Sequence, residues 1–523
     1  MEQQNNNPAV QNQKIAKEDS ILLYQVRQNF GIFAGISLIF ALAFTSLFYK
    51  ASIGFNTLLF TVVIVILLWA VMEKLELPVK KVTAVYYLGA LLLGLSTMLS
   101  ANGSIQFLNI IGMLMLLDLS LIHQFNEAIE WNFLNHLKKM FGLFFYCLGS
   151  LAMPFADFNK FLGKTRLMKN NILRNILWGL LISVPILAII VTLLSSADLL
   201  FADMTQKLQN MIVSSDAIVV CLMTLLGFLA CYSIICGAAG SADFSRETTG
   251  IKQAEPTFAI TVMSLLTAVY LFFCVIQVVY LFSGGLFILP GQYTFAEYAR
   301  RGFFELVAVT VINLGFLLIS NLFFRKSKIL QIVLLVMSLC TYIMIASAAY
   351  RMSMYISAYH LTFLRLLVLL FLLMDSFVLA GLVISLFHQK FPLFGYCVAV
   401  VSVCYITFSF LRPDYLIASY YVAHKNEMTA EDLVFLTTEL SYDAAPVVLP
   451  LLTDMKSGEM ITDTNVAFTE DMGYGYVSGD QLKDRIIYYD TNLEQVAGSM
   501  GIRGFNLSYD IALRYQKKYP MTK

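Results

Sequence analysis

Charge is scarce in this sequence. Only 13% of its 523 residues are Asp, Glu, Lys or Arg, about half the share of an average soluble domain. With 59% apolar residues, that scarcity excludes an ordinary soluble enzyme and a disordered chain alike. The few charges balance, 35 Lys and Arg against 34 Asp and Glu, so no basic field exists for nucleic acid. The five His, at 123, 136, 360, 388 and 424, are scattered without metal-ligand spacing. No GxxxxGK(S/T) loop, GxSxG elbow or HExxH helix occurs. The eight Cys form no CxxC pair, and all but Cys147 lie in strongly apolar stretches. They read as small buried apolar side chains rather than redox or metal groups. No cofactor or metal is expected, and the reading leans away from an enzyme.

Long apolar runs are abundant instead. A bilayer core of about 30 Å needs about 20 apolar residues as a helix, and only a helix satisfies its own backbone in lipid. By that measure eleven spans are expected, near 29–48, 54–72, 82–100, 105–123, 175–197, 217–239, 258–282, 302–323, 329–350, 362–387 and 393–411. The expected fold is all-α, a polytopic transmembrane helix bundle in the cell membrane. Residues 1–28 form a polar N-terminal tail without the short basic start and apolar run of a cleavable signal peptide. The domain plan is a four-helix membrane segment (29–123), an interfacial segment (124–174), a seven-helix membrane core (175–411) and a C-terminal domain (412–523).

Orientation follows from the Lys/Arg bias. With the N-terminus in the cytosol, nineteen Lys and Arg fall on the cytosolic side and six on the other. An odd number of spans then places the C-terminus outside. One run tests this parity. Residues 141–155 (FGLFFYCLGSLAMPF) are apolar but short, and they follow an amphipathic stretch. They read as a re-entrant or surface-lying segment; the alternative is a twelfth span that would invert everything downstream.

Residues 412–523 carry ten basic and sixteen acidic side chains, which suits a small, mainly helical extracytoplasmic domain. TAEDLVFLTTEL opens with capping-box spacing at Thr429 and Asp432. Pro446 and Pro450 limit helix length in SYDAAPVVLPLLTDM. VAFTEDMGYGYVSGDQ reads as a loop or short hairpin, and NLSYDIALRYQKKYP as a last amphipathic helix.

Ionisable groups inside a span are costly and mark candidate sites. Asp375 lies near the middle of its span and is the most deeply placed acid. Asp118, near a span end, can reach the interface by snorkelling. The outer level holds a richer set. Glu297, Arg301 and Glu305 have i, i+4, i+8 spacing on one helix face. Arg351, Tyr355, Thr362 and Arg365 fall on one stripe if their helix is continuous. Arg412, Asp414 and Tyr415 follow the last span. Arg forks bind phosphate or carboxylate bidentately, and Tyr suits the interface. Arg301, Arg351, Tyr355, Arg365 and Arg412 therefore form a candidate site for an anionic lipid or solute. Glu297, Glu305 and Asp414 are its ion-pair or acid/base partners. The competing reading is internal, with these acids neutralising the Arg and fastening the helices.

Several of these pieces carry a resemblance. They are Ser196-Ala197-Asp198, Tyr298 to Leu306 (YARRGFFEL), Arg351-Met352 with Tyr355, Leu361-Thr362 with Arg365, and Arg412-Pro413-Asp414 leading to Ile417-Ala418. Over about 175–445 the chain resembles a bacterial multi-pass membrane family known as a domain of unknown function, number forty-one seventy-three, related to forty-one fifty-three. The resemblance implies an integral membrane protein and no particular activity. Three functions stay open: binding, sensing or transporting an anionic lipid or solute; catalysis on a lipid-linked substrate; and a non-catalytic membrane scaffold or signalling partner.

Overall fold

The computed structural model describes residues 21–126, 133–164, 215–242, 253–282, 303–388, 390–424, 428–457 and 479–520, with scattered positions between 179 and 205. A short helix, α1 (Ile21–Gln28), leads into α2 (Phe30–Phe48), α3 (Phe55–Lys74), α4 (Lys81–Leu99) and α5 (Gly103–Phe125). A helical run follows, α6 (Phe133–Gly149), a 3-10 turn at Ser150–Ala152, and α7 (Met153–Lys164). Next come α8 (Ser215–Gly240), α9 (Pro256–Phe282), α10 (Phe303–Phe323), α11 (Lys328–Tyr359), α12 (Phe363–Phe387) and α13 (Leu393–Phe410). The C-terminal module comprises α14 (Pro413–Ala423), α15 (Ala430–Thr438), α16 (Ala445–Ser457), α17 (Gly479–Ser499) and α18 (Leu507–Lys518). Among the described residues there is no strand, only an isolated bridge between Ala254 and Phe324.

Small polar residues share the bundle interior with apolar ones, and large apolar side chains cover its outside. Ser37, Thr57, Thr61, Thr83, Ser96, Thr97 and Asn109 are buried, while Leu38, Leu42, Ile66, Trp69 and Phe107 are exposed. Small hydroxyl residues let helices approach closely, and large apolar side chains face lipid. Among the described residues, eleven helices are long and apolar enough to cross a membrane. The chain is a multi-pass membrane protein.

Contacts define two ends of the bundle. At the near end, Leu23 of α1 touches Gly240, Lys80 donates to Gln124 Oε1 and Lys326 to the Leu386 carbonyl. At the far end, Lys50 pairs with Asp216 and Ser96 meets Ser409. Ten of the eleven long helices, α2–α5 and α8–α13, run from one end to the other. The eleventh apolar stretch, Phe133–Phe161, does not. His136 stacks on Phe394 at 4.2 Å, and Phe394 opens α13 at the near end. Cys147 packs on Gly237, where a Cβ would lie 2.8 Å from the Cys147 backbone. Asp157 then pairs with Arg27 at 3.0 Å, and Phe161 touches Phe30 and Gly31. A helix of that length reaches about 43 Å, yet its partners on α8, from Ser241 to Tyr232, span about 14 Å of depth. The run crosses the near end obliquely and returns to it.

Residues 164 and 215 consequently lie at opposite ends. The expected span at 175–197 falls largely outside the described residues. So do residues 1–20, the proposed hairpin around 466–481 for all but its last positions, and residues 283–302. The module packs on the far end, opposite α1. Its core gathers Ile417, Leu436, Ala445, Val448, Leu449, Leu493 and Ala512. The Thr429–Asp432 capping box is formed in both directions. Pro450 stands inside α16, which continues through it.

Candidate functional site

The expected stripe of Arg351, Tyr355, Thr362 and Arg365 requires one continuous helix, and the structure breaks it. His360 adopts φ 62°, a left-handed conformation that ends α11 before Phe363 starts α12. The ends of helices leave carbonyls without donors. Arg365 turns back to supply them, donating from Nη1 to the carbonyls of Tyr359 and His360. Its guanidinium thereby lies 4.4 Å from the centre of the Tyr355 ring, a cation–π geometry. The residues meet across a reversal of the chain rather than along a stripe. Thr362, at the N-cap of α12, is the sequence signal for that break.

Tyr355, Thr362 and Arg365 line a far-end cavity of about 250 Å³ together with Phe303, Phe304, Met352, Leu364 and Val368. Its lining is mainly apolar, with one cation and two hydroxyls. Arg351 is absent from the wall. It is buried and donates to Gln277 Oε1 of α9 at 3.2 Å, beside Ser347. Glu305 is exposed at the start of α10 and pairs with no cation among the described residues. Glu297 and Arg301 lie outside the described residues, as does the face they were expected to share.

Arg412 and Asp414 belong to a second centre, where the module meets the bundle. Arg412 has φ 53°, and its Nη2 reaches Ser508 Oγ at 2.9 Å and Asp443 Oδ1 at 3.6 Å. Asp443 is fully buried and accepts from Ser100 Oγ at 2.5 Å, the Ala101 amide at 2.8 Å and Ser508 Oγ. Asp414 Oδ2 accepts from Asn102 Nδ2 at 2.8 Å and the Ser441 amide at 2.9 Å. Burial pushes the Asp414 carboxyl above its ordinary range, opposed by the Ser441 and Asn102 donors. Asn506 adds a bond to the Ser100 carbonyl at 2.8 Å. Arg412 and Asp414 both join protein to protein, but not to each other as the internal reading had it: Arg412 meets Asp443, and Asp414 takes the neutral donors Asn102 and Ser441. Neither Asp443 nor Asn506 stood out in the sequence, because the partners they share in the α4–α5 loop lie more than 300 residues away.

Asp375 is buried in α12 at 3% exposure. Thr310 of α10 sits beside its carboxyl, but the Thr310 hydroxyl donates to the Val307 carbonyl at 2.9 Å. Neither Asp375 oxygen has a hydrogen-bond donor. Asn313, one turn along α10, spends its amide on Thr341 Oγ1 at 3.0 Å and leaves Oδ1 unfilled. Thr310 and Asn313 are polar at i, i+3 in an apolar helix, a signal that was present in the sequence.

No curated protein and no solved structure is detectably similar to the chain. The family described as Domain of unknown function (DUF4153), the second of the two related families expected, matches residues 87–451. The match begins inside α4, earlier than the resemblance at 175–445, so α4 and α5 belong to the family's shared part as well. It takes in the cavity, Asp375, Asp414 and Asp443, and by it the chain belongs to the DUF4153 family.

Proposed function

We propose that the far-end cavity binds an anionic amphiphile, a lipid or lipid-like solute, at the outer face of the cell membrane. The carrying observation is the Arg365 guanidinium stacked over Tyr355 at the wall of a cavity that is otherwise mostly apolar. Only Nη1 of Arg365 is spent on helix carbonyls, and no acid among the described residues neutralises it. A cation above apolar walls matches a charged headgroup with a chain below. The Lys/Arg bias supports an outer location for this end, with α1 and the oblique α6–α7 run in the cytosolic interface. Catalysis has less support, since Asp414 is 1% exposed and its Oδ2 is held by Asn102 and the Ser441 amide.

The test is lipid analysis by native mass spectrometry of the purified full chain. The wild type is expected to retain an anionic lipid that Arg365→Ala and Tyr355→Ala lose, while Arg412→Ala keeps it. Equal retention by all four proteins, or none by the wild type in the presence of added anionic lipid, sinks the reading.

A further inference from the structure

We propose that Asp375 is a proton-binding site in the interior formed by α9–α12, exchanging its proton with the far-end cavity. The inference stands on the donor–acceptor balance around the carboxyl and does not rest on what fills the cavity. Three acceptor oxygens there lack donors: both oxygens of Asp375 and Oδ1 of Asn313. The neighbouring hydroxyls are committed elsewhere, Thr310 to Val307 and Thr341 to the Met337 carbonyl at 2.9 Å. Buried polar groups are nearly always paired, and a bare carboxylate in an apolar interior is far costlier than a neutral acid. One added proton converts Asp375 from two unfilled acceptors into a donor and an acceptor. The step is simple association: the proton adds to one carboxylate oxygen and leaves by the same bond.

No cation competes for the role. The titratable group facing Asp375 from α11 is Tyr342, whose hydroxyl donates to the Ser376 carbonyl at 3.1 Å. On α13, Tyr396 donates its hydroxyl to the Phe377 carbonyl at 3.0 Å, two residues from Asp375 along α12. From α10 come Thr310 and Asn313, which do not titrate, and Glu305 is exposed near the far end. α14 packs beside Phe363 and Leu366 at the outer end of α12, away from Asp375. Among the described residues no Lys, Arg or His pairs with the carboxyl.

The cavity offers the route. Val368 lines it and lies seven residues before Asp375; Phe303 lines it and lies seven before Thr310. Seven residues are about 10 Å of helix and return to within about 20° of the same face. Both helices run from the far end inward, so the cavity stands two turns above the Asp375–Thr310 pair. Leu372 and Leu306, both buried, lie between.

Infrared difference spectroscopy of the full chain in liposomes, with pH steps, reads the site directly. A protonated-carboxyl band is expected that shifts in D2O, fades as pH rises and is absent from Asp375→Asn. A band identical in the variant, or one that never shifts in D2O, overturns the proposal. A band erased by sodium at constant pH also overturns it, because a metal cation would then be the occupant. If Asp375→Asn fails to fold, the wild type decides alone. A membrane-soluble carbodiimide should modify Asp375 at neutral pH and less at high pH; modification only after unfolding counts against the site.

Discussion

Asp443 and Asp375 are both buried carboxyls, and they are treated in opposite ways. Asp443 accepts from two serine hydroxyls and a backbone amide and lies 3.6 Å from a guanidinium. Asp375 accepts from nothing. The groups at Asp443 come from three parts of the chain: Ser100 and Ala101 in the α4–α5 loop, Arg412 at the start of α14 and Ser508 at the start of α18. Such a carboxylate is a fastener, because every group that meets it is desolvated and depends on it. A buried carboxyl with no donors fastens nothing. It persists where something outside the covalent chain supplies the missing hydrogen. The contrast separates the module junction, which is structural, from the interior of α9–α12, where a buried carboxyl has no donor.

The junction should break most easily at its centre. Asp443→Ala strands Ser100, Ser508 and the Ala101 amide and removes the counter-charge of Arg412. A loss of about 3–5 kcal/mol is expected, seen as release of residues 413–520 to protease in sealed vesicles or detergent. If the module stays protected, the apolar core of the module holds it instead. At the near end, Arg27→Ala leaves Asp157, 1% exposed, with only Tyr232 as a described donor, at 3.1 Å. About 3 kcal/mol should be lost in thermal unfolding, and Arg27→Lys should recover part of it. A smaller effect is expected at Gly54, whose added Cβ would lie 2.5 Å from the Phe505 carbonyl beside the bond from the Phe55 amide to that oxygen. Gly54→Ala should cost about 1–3 kcal/mol through displacement of the loop, and Gly54→Ser no less.

Acidity sharpens the comparison further. The Asp414 carboxyl titrates above its ordinary range in the folded chain. Its folded-state value exceeds the unfolded one, so its contribution is complete below about pH 4 and declines as pH rises through the folded value. Asp414→Asn should remove that part of the pH dependence, and the gap between the two melting profiles should change between acid and neutral pH. A constant gap would deny that Asp414 titrates differently on folding. The least effect is expected from Asp375→Asn. An amide resembles a neutral acid, so stability at neutral pH should change by less than about 1 kcal/mol. A large loss would mean that Asp375 is charged and paired in the native protein.

Much of this architecture could be read from local pattern. The apolar runs located α2–α5 and α8–α13, Thr429 and Asp432 marked the start of α15, and the amphipathic run before Tyr519 became α18. Asp375 stood out because an acid in an apolar run is visible without a structure. The Arg stripe failed for a definite reason: helical projection assumes continuity, and His360 interrupts it, with the N-cap Thr362 rather than a Gly or Pro marking the break. Gln277 could not be matched to Arg351, nor Ser100 to Asp443, because such pairs leave no period in the chain.

The sequence alone determined that the chain lives in a membrane and is helical there, because a lipid interior forbids unsatisfied backbone and tolerates few charges. Tertiary structure decided which apolar stretch turns back, which arginines are consumed by carbonyls and carboxylates, and which acid is left without a donor. The reason is range. Backbone satisfaction is settled within one helix, over four residues, whereas the pairing of a buried side chain is settled by helices that meet only after the whole bundle has closed.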